Sequence, residues 1–223
     1  VSAHQMEAVP HIEVFLKNGI QLKLEAILGT TRYDDSYEDS DNIGGRLTLR
    51  KPIKPGVMLE AILFHDDRSF LEKLPRDSDG YSMDGTLRYR IDEAFLRWRK
   101  QGPAQEDWRL SSQVRFMRQK DNGAGYYDYD RLRLTQSVSR VFNKWEAGLL
   151  LSFTRHDYPV RKADFNGSET LWRENWEVML DFKRPLGEAT SFFLDGQREH
   201  NRSNSLENVY DDYRVSAGIE WEI

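Results

Sequence analysis

The sequence predicts an all-β fold, an antiparallel transmembrane β-barrel of about 10–12 strands. Three observations predict it. Apolar and polar side chains alternate over segments longer than soluble strands; the connections alternate short and long; aromatic residues gather toward both ends of the segments. The whole chain, 1–223, reads as a single barrel domain.

Composition sets the frame. Charged residues make up 31% of the chain and the mean hydropathy is −0.73. No run of eighteen apolar residues is present, so no transmembrane helix is predicted. A membrane barrel tolerates such polarity because only alternate residues meet lipid while the others meet a polar lumen. Cysteine is absent, which agrees with an oxidising compartment such as the periplasm. A net charge of −5 gives no support for nucleic-acid binding. No signal peptide is visible from Val1 onward.

Eleven segments carry the period-two signal, roughly 4–17, 20–33, 44–51, 57–65, 85–99, 107–120, 127–142, 145–156, 170–184, 190–200 and 212–223. In the first, Met6, Ala8, Ile12, Val14 and Leu16 form the apolar set. In the second it is Ile20, Leu22, Leu24, Ala26 and Leu28, and in the fourth Val57, Leu59, Ala61 and Leu63. In the fifth, Leu87, Tyr89 and Ile91 give way to Ala94, Leu96 and Trp98, a change of face that predicts a β-bulge near Asp92-Glu93. The sixth offers Trp108, Leu110, Val114 and Phe116; the eighth, Trp145, Ala147, Leu149, Leu151 and Phe153. The ninth gives Trp172, Trp176, Val178, Leu180 and Phe182, and the last Tyr213, Val215, Ala217, Ile219, Trp221 and Ile223. Several exceed ten residues, the length a tilted strand needs to cross a bilayer.

Short connections fall at Asn18-Gly19, 52–56, 100–106, Asn143-Lys144 and 185–189, with the Gly, Pro and Asn content of tight turns. Long ones fall at 34–43, 66–84, 121–126, 157–169 and 201–211. Short periplasmic turns and long external loops are the habit of outer-membrane barrels. Trp98, Trp108, Phe142, Trp145, Phe182 and Trp221 sit near the short turns. Tyr33, Phe64, Tyr89, Phe116, Tyr129, Phe153, Trp172 and Tyr213 sit near the long loops. Two such bands suit two membrane interfaces, with Trp98, Trp108, Trp145, Trp172 and Trp221 as the principal anchors.

The alternation, the turn asymmetry and the closing Ile219-Glu220-Trp221-Glu222-Ile223 resemble Gram-negative outer-membrane β-barrel proteins. The last five residues look like the C-terminal signal of that class, though they end in Ile rather than Phe or Tyr. The resemblance implies the bacterial outer membrane as location, and outer-membrane lipid or lipopolysaccharide as a partner. Size and charge are similar to those of small porins for acidic oligosaccharides. Bacterial single-chain barrels have even strand counts, so eleven strands imply a further strand upstream or from another chain. A similar barrel follows a periplasmic helical-repeat region in some exporters, which implies a possible upstream or separate periplasmic subunit. The remaining possibility is a ten-stranded barrel with the first segment as an arm.

With the apolar set facing lipid, the strand charges face the lumen. The basic set is Arg50, Arg88, Arg90, Arg97, Arg109, Arg115, Arg131 and Arg133, accompanied by Arg46 and Arg99. The acidic set is Glu13, Glu146, Glu177, Asp181, Asp195 and Glu220, accompanied by Glu7, Glu199 and Glu222. They predict two arcs of opposite sign facing each other across the bore, hence a channel or export conduit for anionic solutes or saccharides. The competing expectations are a structural or assembly barrel filled by paired charges, and a rim hydrolase.

A hydrolase would draw on His65-Asp66-Asp67, His156-Asp157 or Glu199-His200, but parity turns only His156 inward. No enzyme activity is expected. The acids Asp34, Asp35, Glu38, Asp39 and Asp41 could meet a divalent cation but read as a solvated loop. Tyr126-Tyr127-Asp128-Tyr129 could stack on sugar rings and otherwise reads as an interface band. No zinc pattern, phosphate loop or nucleotide fingerprint occurs, so neither metal nor cofactor is expected.

Overall fold

The computed structural model describes residues 3–34, 36–102, 108–164, 168–187 and 189–221. Its strands are β1 (Ala3–Ala8), β2 (His11–Phe15), β3 (Gln21–Tyr33), β4 (Ser40–Lys54), β5 (Val57–Phe70) and β6 (Arg88–Gln101). They continue as β7 (Arg109–Asp121), β8 (Tyr129–Phe142), β9 (Trp145–Lys162), β10 (Thr170–Pro185), β11 (Thr190–Ser203) and β12 (Tyr210–Trp221). All twelve belong to one antiparallel sheet in which sequence neighbours pair.

Strands β1 and β2 are two halves of one arm. Both pair with β3 in a single register, from Ala3↔Tyr33 to Phe15↔Gln21, and only Val9-Pro10 interrupts it. Proline has no N–H to give there. Its carbonyl still accepts the Ala26 N–H at 3.0 Å. Counted this way the sheet has eleven arms, one for each predicted segment.

The alternation decides which face each side chain takes. On one face, Leu24, Leu63, Leu96, Leu134, Leu151 and Leu180 are exposed. On the other, Glu25, Thr48, Glu60, Asp66, Thr135 and Ser152 are buried, with no second layer to cover them. The sheet therefore curls with its polar face inward. A soluble domain buries apolar groups and exposes polar ones; here the order is reversed, as a wall between hydrocarbon and a polar bore requires. On β9 the apolar face runs from Trp145 to Phe153, and above it come Arg155 and Asp157. That span matches the roughly 9–11 residues of a tilted strand across a bilayer.

One end of the sheet is closed by tight turns. Asn143 (φ 45°) and Lys144 (φ 67°) join β8 to β9 with both residues left-handed, the geometry whose twist matches a two-residue hairpin. Gly56 (φ 74°) joins β4 to β5, where a Cβ would lie 2.1 Å from the Gln101 carbonyl oxygen.

At the other end the strands outrun their predicted limits. β4 begins at Ser40, β5 continues to Phe70, β9 to Lys162 and β11 to Ser203. Residues assigned to long loops are thus partly strand, because polar side chains carry alternation invisibly once both faces are wet. Glu222 and Ile223 of the closing motif lie outside the described residues.

One correction concerns β6, and one further finding the sheet edges. The bulge expected at Asp92-Glu93 is absent: β5 and β6 keep one register from Val57↔Lys100 to Ser69↔Arg88. The predicted barrel is, among the described residues, an open sheet with β1/β2 and β12 as unpaired edges. With eleven alternating arms, the first and last run in the same direction. Pairing them directly would make a parallel seam.

Candidate functional site

The candidate site is the concave wall. Register places Glu13, Arg50, Arg97, Arg109, Arg115, Arg131, Arg133, Glu146, Glu177, Asp181, Asp195 and Glu220 on it. Arg88 and Arg90 are not on it. Without the bulge they share the outward face with Trp98 and Leu96, and Tyr89 and Ile91 turn inward instead. The reason is height. Above the apolar band the outward face meets water or headgroups, so arginine costs little there. The inward face at that level is packed with rings: Tyr89 lies 5.2 Å from Phe70 and 5.8 Å from Tyr127.

The two arcs are not of pure sign: Glu25, Glu60 and Glu93 stand among the basic strands and Lys183 among the acidic ones, and many of the charges pair with a neighbour. Glu60, only 1% exposed, receives the Arg50 Nε at 2.6 Å and is bonded by Arg97 from the opposite neighbour strand. Glu93, missed as a wall residue because of the expected bulge, is approached by Arg115 at 3.4 Å and Arg131 at 3.7 Å. Glu25 lies 2.9 Å from Lys23 and 3.8 Å from Arg46. Glu177 faces Arg133 at 3.8 Å and Arg109 faces Glu146 at 3.2 Å. Lys183 pairs with Glu220.

In Arg109–Glu146 and Lys183–Glu220 the two members are similarly exposed, whereas in the pairs made by Glu25, Glu60, Glu93 and Glu177 they are not equally placed. The carboxylate lies low on the wall and the guanidinium stands over it: Arg115 is 39% exposed against 18% for Glu93, and Arg133 is 41% against 20% for Glu177. Short acidic side chains stay near the backbone, while arginine's long stem carries its head toward the bore. Asp181 and Asp195 face each other across β10 and β11. The Asp181 carboxylate lies over Gly148, where a Cβ would come within 2.3 Å of it.

The other predicted residues fall as follows. Trp98, Trp108, Trp145, Trp172 and Trp221 all take the outward parity. Near the short turns, Arg140 lies 5.2 Å from the Trp108 ring and Arg184 5.2 Å from the Trp145 ring. Of the upper aromatic band, Phe116, Phe153, Trp172 and Tyr213 face outward, but Tyr33, Phe64, Tyr89 and Tyr129 face inward.

His65 has Asp92 at 2.7 Å and His200 has Asp211 at 2.8 Å, both on the outward face. His156 faces inward, its ring 5.7 Å from Tyr129 and 6.4 Å from Tyr158. In the first long loop, Asp39 accepts the Tyr33 N–H at 2.7 Å, Asp41 takes Arg32 at 2.6 Å and Glu38 takes Lys73 at 2.6 Å. Asp35 lies outside the described residues.

At the long-loop end, Asp121 fixes its own loop by accepting the N–H groups of Gly123, Gly125 and Tyr127 at 2.8–3.0 Å. Burial pushes the Tyr127 hydroxyl above the usual phenol range, with the nearby Arg76 guanidinium partly opposing it.

No family model matches the sequence, and no curated protein matches it. Solved structures do. The chain is similar to the ferric citrate transporter FecA in its unliganded form, at 9% identity and a TM-score of 0.59, over 97% of this chain and 38% of that one. It is also similar to the alcaligin outer-membrane receptor FauA of Bordetella pertussis, at 12% identity and a TM-score of 0.58, over 98% of this chain and 39% of that one. The chain therefore spans less than two fifths of the length of either. Its fold is that of outer-membrane β-barrel proteins.

Proposed function

We propose that this chain forms part of the wall of a transport barrel in the bacterial outer membrane, passing anionic solutes or saccharides along its concave face. The observation that carries the reading is that guanidiniums stand more exposed than the carboxylates they pair with. Arg50, Arg97, Arg115, Arg131 and Arg133 stand bore-ward of Glu60, Glu93 and Glu177. On β4 to β8 the nearly balanced charge gives a basic lining, because the nearer charge dominates the potential a solute meets. The fold shared with an iron-citrate transporter and an outer-membrane receptor supports the same direction.

Antiparallel closure of such a wall takes an odd number of further strands, whichever polypeptide supplies them, because lipid does not tolerate an open edge. The outward charges above the apolar band, among them Arg118 with Asp130 and Arg155 with Asp157 and Glu174, would meet lipid or lipopolysaccharide headgroups.

Conductance in planar bilayers tests the proposal. Ion-permeable channels with anion preference are expected. Absence of conductance, or a cation preference, contradicts it.

A further inference from the structure

The inward face carries one stretch in which the balance of charge fails. On β8, β9 and β10 the register aligns Arg131, His156 and Arg173 in one row across three neighbouring strands. The row below it is Arg133, Thr154 and Asn175. These six adjoining positions hold three guanidiniums, an imidazole, a hydroxyl and an amide, and no carboxylate. The upper row lies above the apolar band, at the long-loop end of the bore.

The acids around this patch are committed elsewhere. Glu93 approaches Arg131 only to 3.7 Å and also serves Arg115 at 3.4 Å. Glu177 faces Arg133 at 3.8 Å and accepts from Gln197 at 3.0 Å. Glu199 accepts from Asn175 and from the Tyr210 hydroxyl. Asp157, beside His156 in sequence, points outward to Arg155 at 2.9 Å. Arg173 takes part in no salt bridge among the described residues. It donates to the Tyr158 hydroxyl at 3.0 Å and its head lies 5.7 Å from that ring.

Rings hold the upper row in place. The His156 ring lies 5.7 Å from Tyr129 and 6.4 Å from Tyr158, and the two tyrosine rings lie 5.8 Å apart. Among the described residues, no hydrogen bond reaches either His156 ring nitrogen. Burial, and then the Arg173 and Arg131 guanidiniums, push the imidazole down to about 4, with the Asp157 carboxylate opposing. A histidine held neutral between two arginines marks a positive potential that the wall leaves largely uncompensated.

We infer that Arg131, His156 and Arg173 form a binding station for a divalent tetrahedral oxyanion, of which sulfate and hydrogen phosphate are the simplest. Adjacent strands lie about 4.8 Å apart, so the two arginine backbones flank His156 at about 10 Å from each other. Their long stems let both heads close on one anion seated over the imidazole. Four oxygens in four directions meet donors from three strands at once, whereas a monocarboxylate is filled by a single guanidinium fork. The neutral imidazole turns an N–H toward the same anion. The inference deepens the proposed transport function by naming the charge and shape of a solute held at the mouth. It rests on that reading only for what the anion does after capture.

Calorimetric titration of the detergent-solubilised protein with sodium sulfate and with sodium acetate, at equal ionic strength, tests it alongside bilayer conductance of the same preparation. Sulfate is expected to bind at least about tenfold more tightly than acetate. Arg131→Gln and Arg173→Gln should each weaken sulfate by about tenfold or more. Arg88→Gln removes the same charge from the outward face and should leave binding within about twofold. The His156 ring resonance, identified by its loss in His156→Phe, should titrate at least about one pH unit higher in sulfate than in chloride, because the bound dianion offsets both arginines. Heat-dependent gel mobility verifies that the variants are folded. Equal binding of sulfate and acetate, equal losses in Arg88→Gln and Arg173→Gln, or sulfate binding without the His156 shift overturns the station. Anion-selective conductance without sulfate binding overturns the station and leaves the transport reading standing. Binding without conductance does the reverse.

Discussion

Arg50 and Glu60 face each other directly across β4 and β5, with Nε 2.6 Å from a carboxylate that is 1% exposed. Arg97 reaches the same carboxylate from β6, so one buried acid holds three adjacent strands. Removing the acid leaves two guanidiniums crowded without their counter-charge. Glu60→Ala should cost about 3 kcal/mol, the lower end for a broken buried pair because both arginines keep some solvent. Urea unfolding in lipid vesicles measures it, and a loss under 1 kcal/mol would mean the cluster is not structural.

Glu93 serves Arg115 and Arg131 together. Glu93→Gln removes the negative charge and keeps the shape. The lining becomes more basic, and the anion-over-cation permeability ratio should rise above that of the wild type. An unchanged reversal potential in a salt gradient would place these arginines away from the conducting path.

The two faces of the wall predict opposite tolerance of charge. Val178 lies on the apolar face and Gln113 on the polar one. Val178→Arg should destabilise by about 2–4 kcal/mol, the cost of arginine near the bilayer midplane. Gln113→Arg should stay within about 1 kcal/mol. Equal costs in the same unfolding assay would refute the assignment of faces.

Lys144 sits at φ 67° in the β8–β9 turn. A β-branched residue is strongly disfavoured in that conformation. Lys144→Val should lose about 1–2 kcal/mol, whereas Lys144→Gly, free of the Cβ clash, should fold at least as well as the parent. Comparing folding yield and heat-dependent gel mobility of the two variants tests the turn.

Most of the wall was legible because one force, contact with hydrocarbon, marks every second residue. On β9, Ala147, Leu149, Leu151 and Phe153 could take only one face. The same rule misled on β6, where Leu87, Tyr89 and Ile91 looked like lipid contacts. They lie above the apolar band, where the inward face is ring-packed and Arg88 and Arg90 can point outward at little cost. Parity alone does not reveal that change of medium. The pairing of Glu60 with Arg50 and Arg97 was illegible for another reason: it depends on cross-strand register, which turn lengths set and side-chain alternation does not. A cavity at the long-loop rim joins residues 79–81, 126 and 161–164, whose proximity exists only once the loops are folded.

The central assignment is most directly tested on β9, in a protein that contains no cysteine of its own. Single cysteines at Leu149, Leu150, Leu151, Ser152, Phe153 and Thr154 would be probed in lipid vesicles with a water-soluble thiol reagent. A lipid-borne quencher of a thiol-attached fluorophore would be used in parallel. Positions 150, 152 and 154 should react from water and resist quenching; 149, 151 and 153 should do the opposite. Uniform reactivity along the strand, or the inverse alternation, would contradict a wall with hydrocarbon on one side and a polar bore on the other.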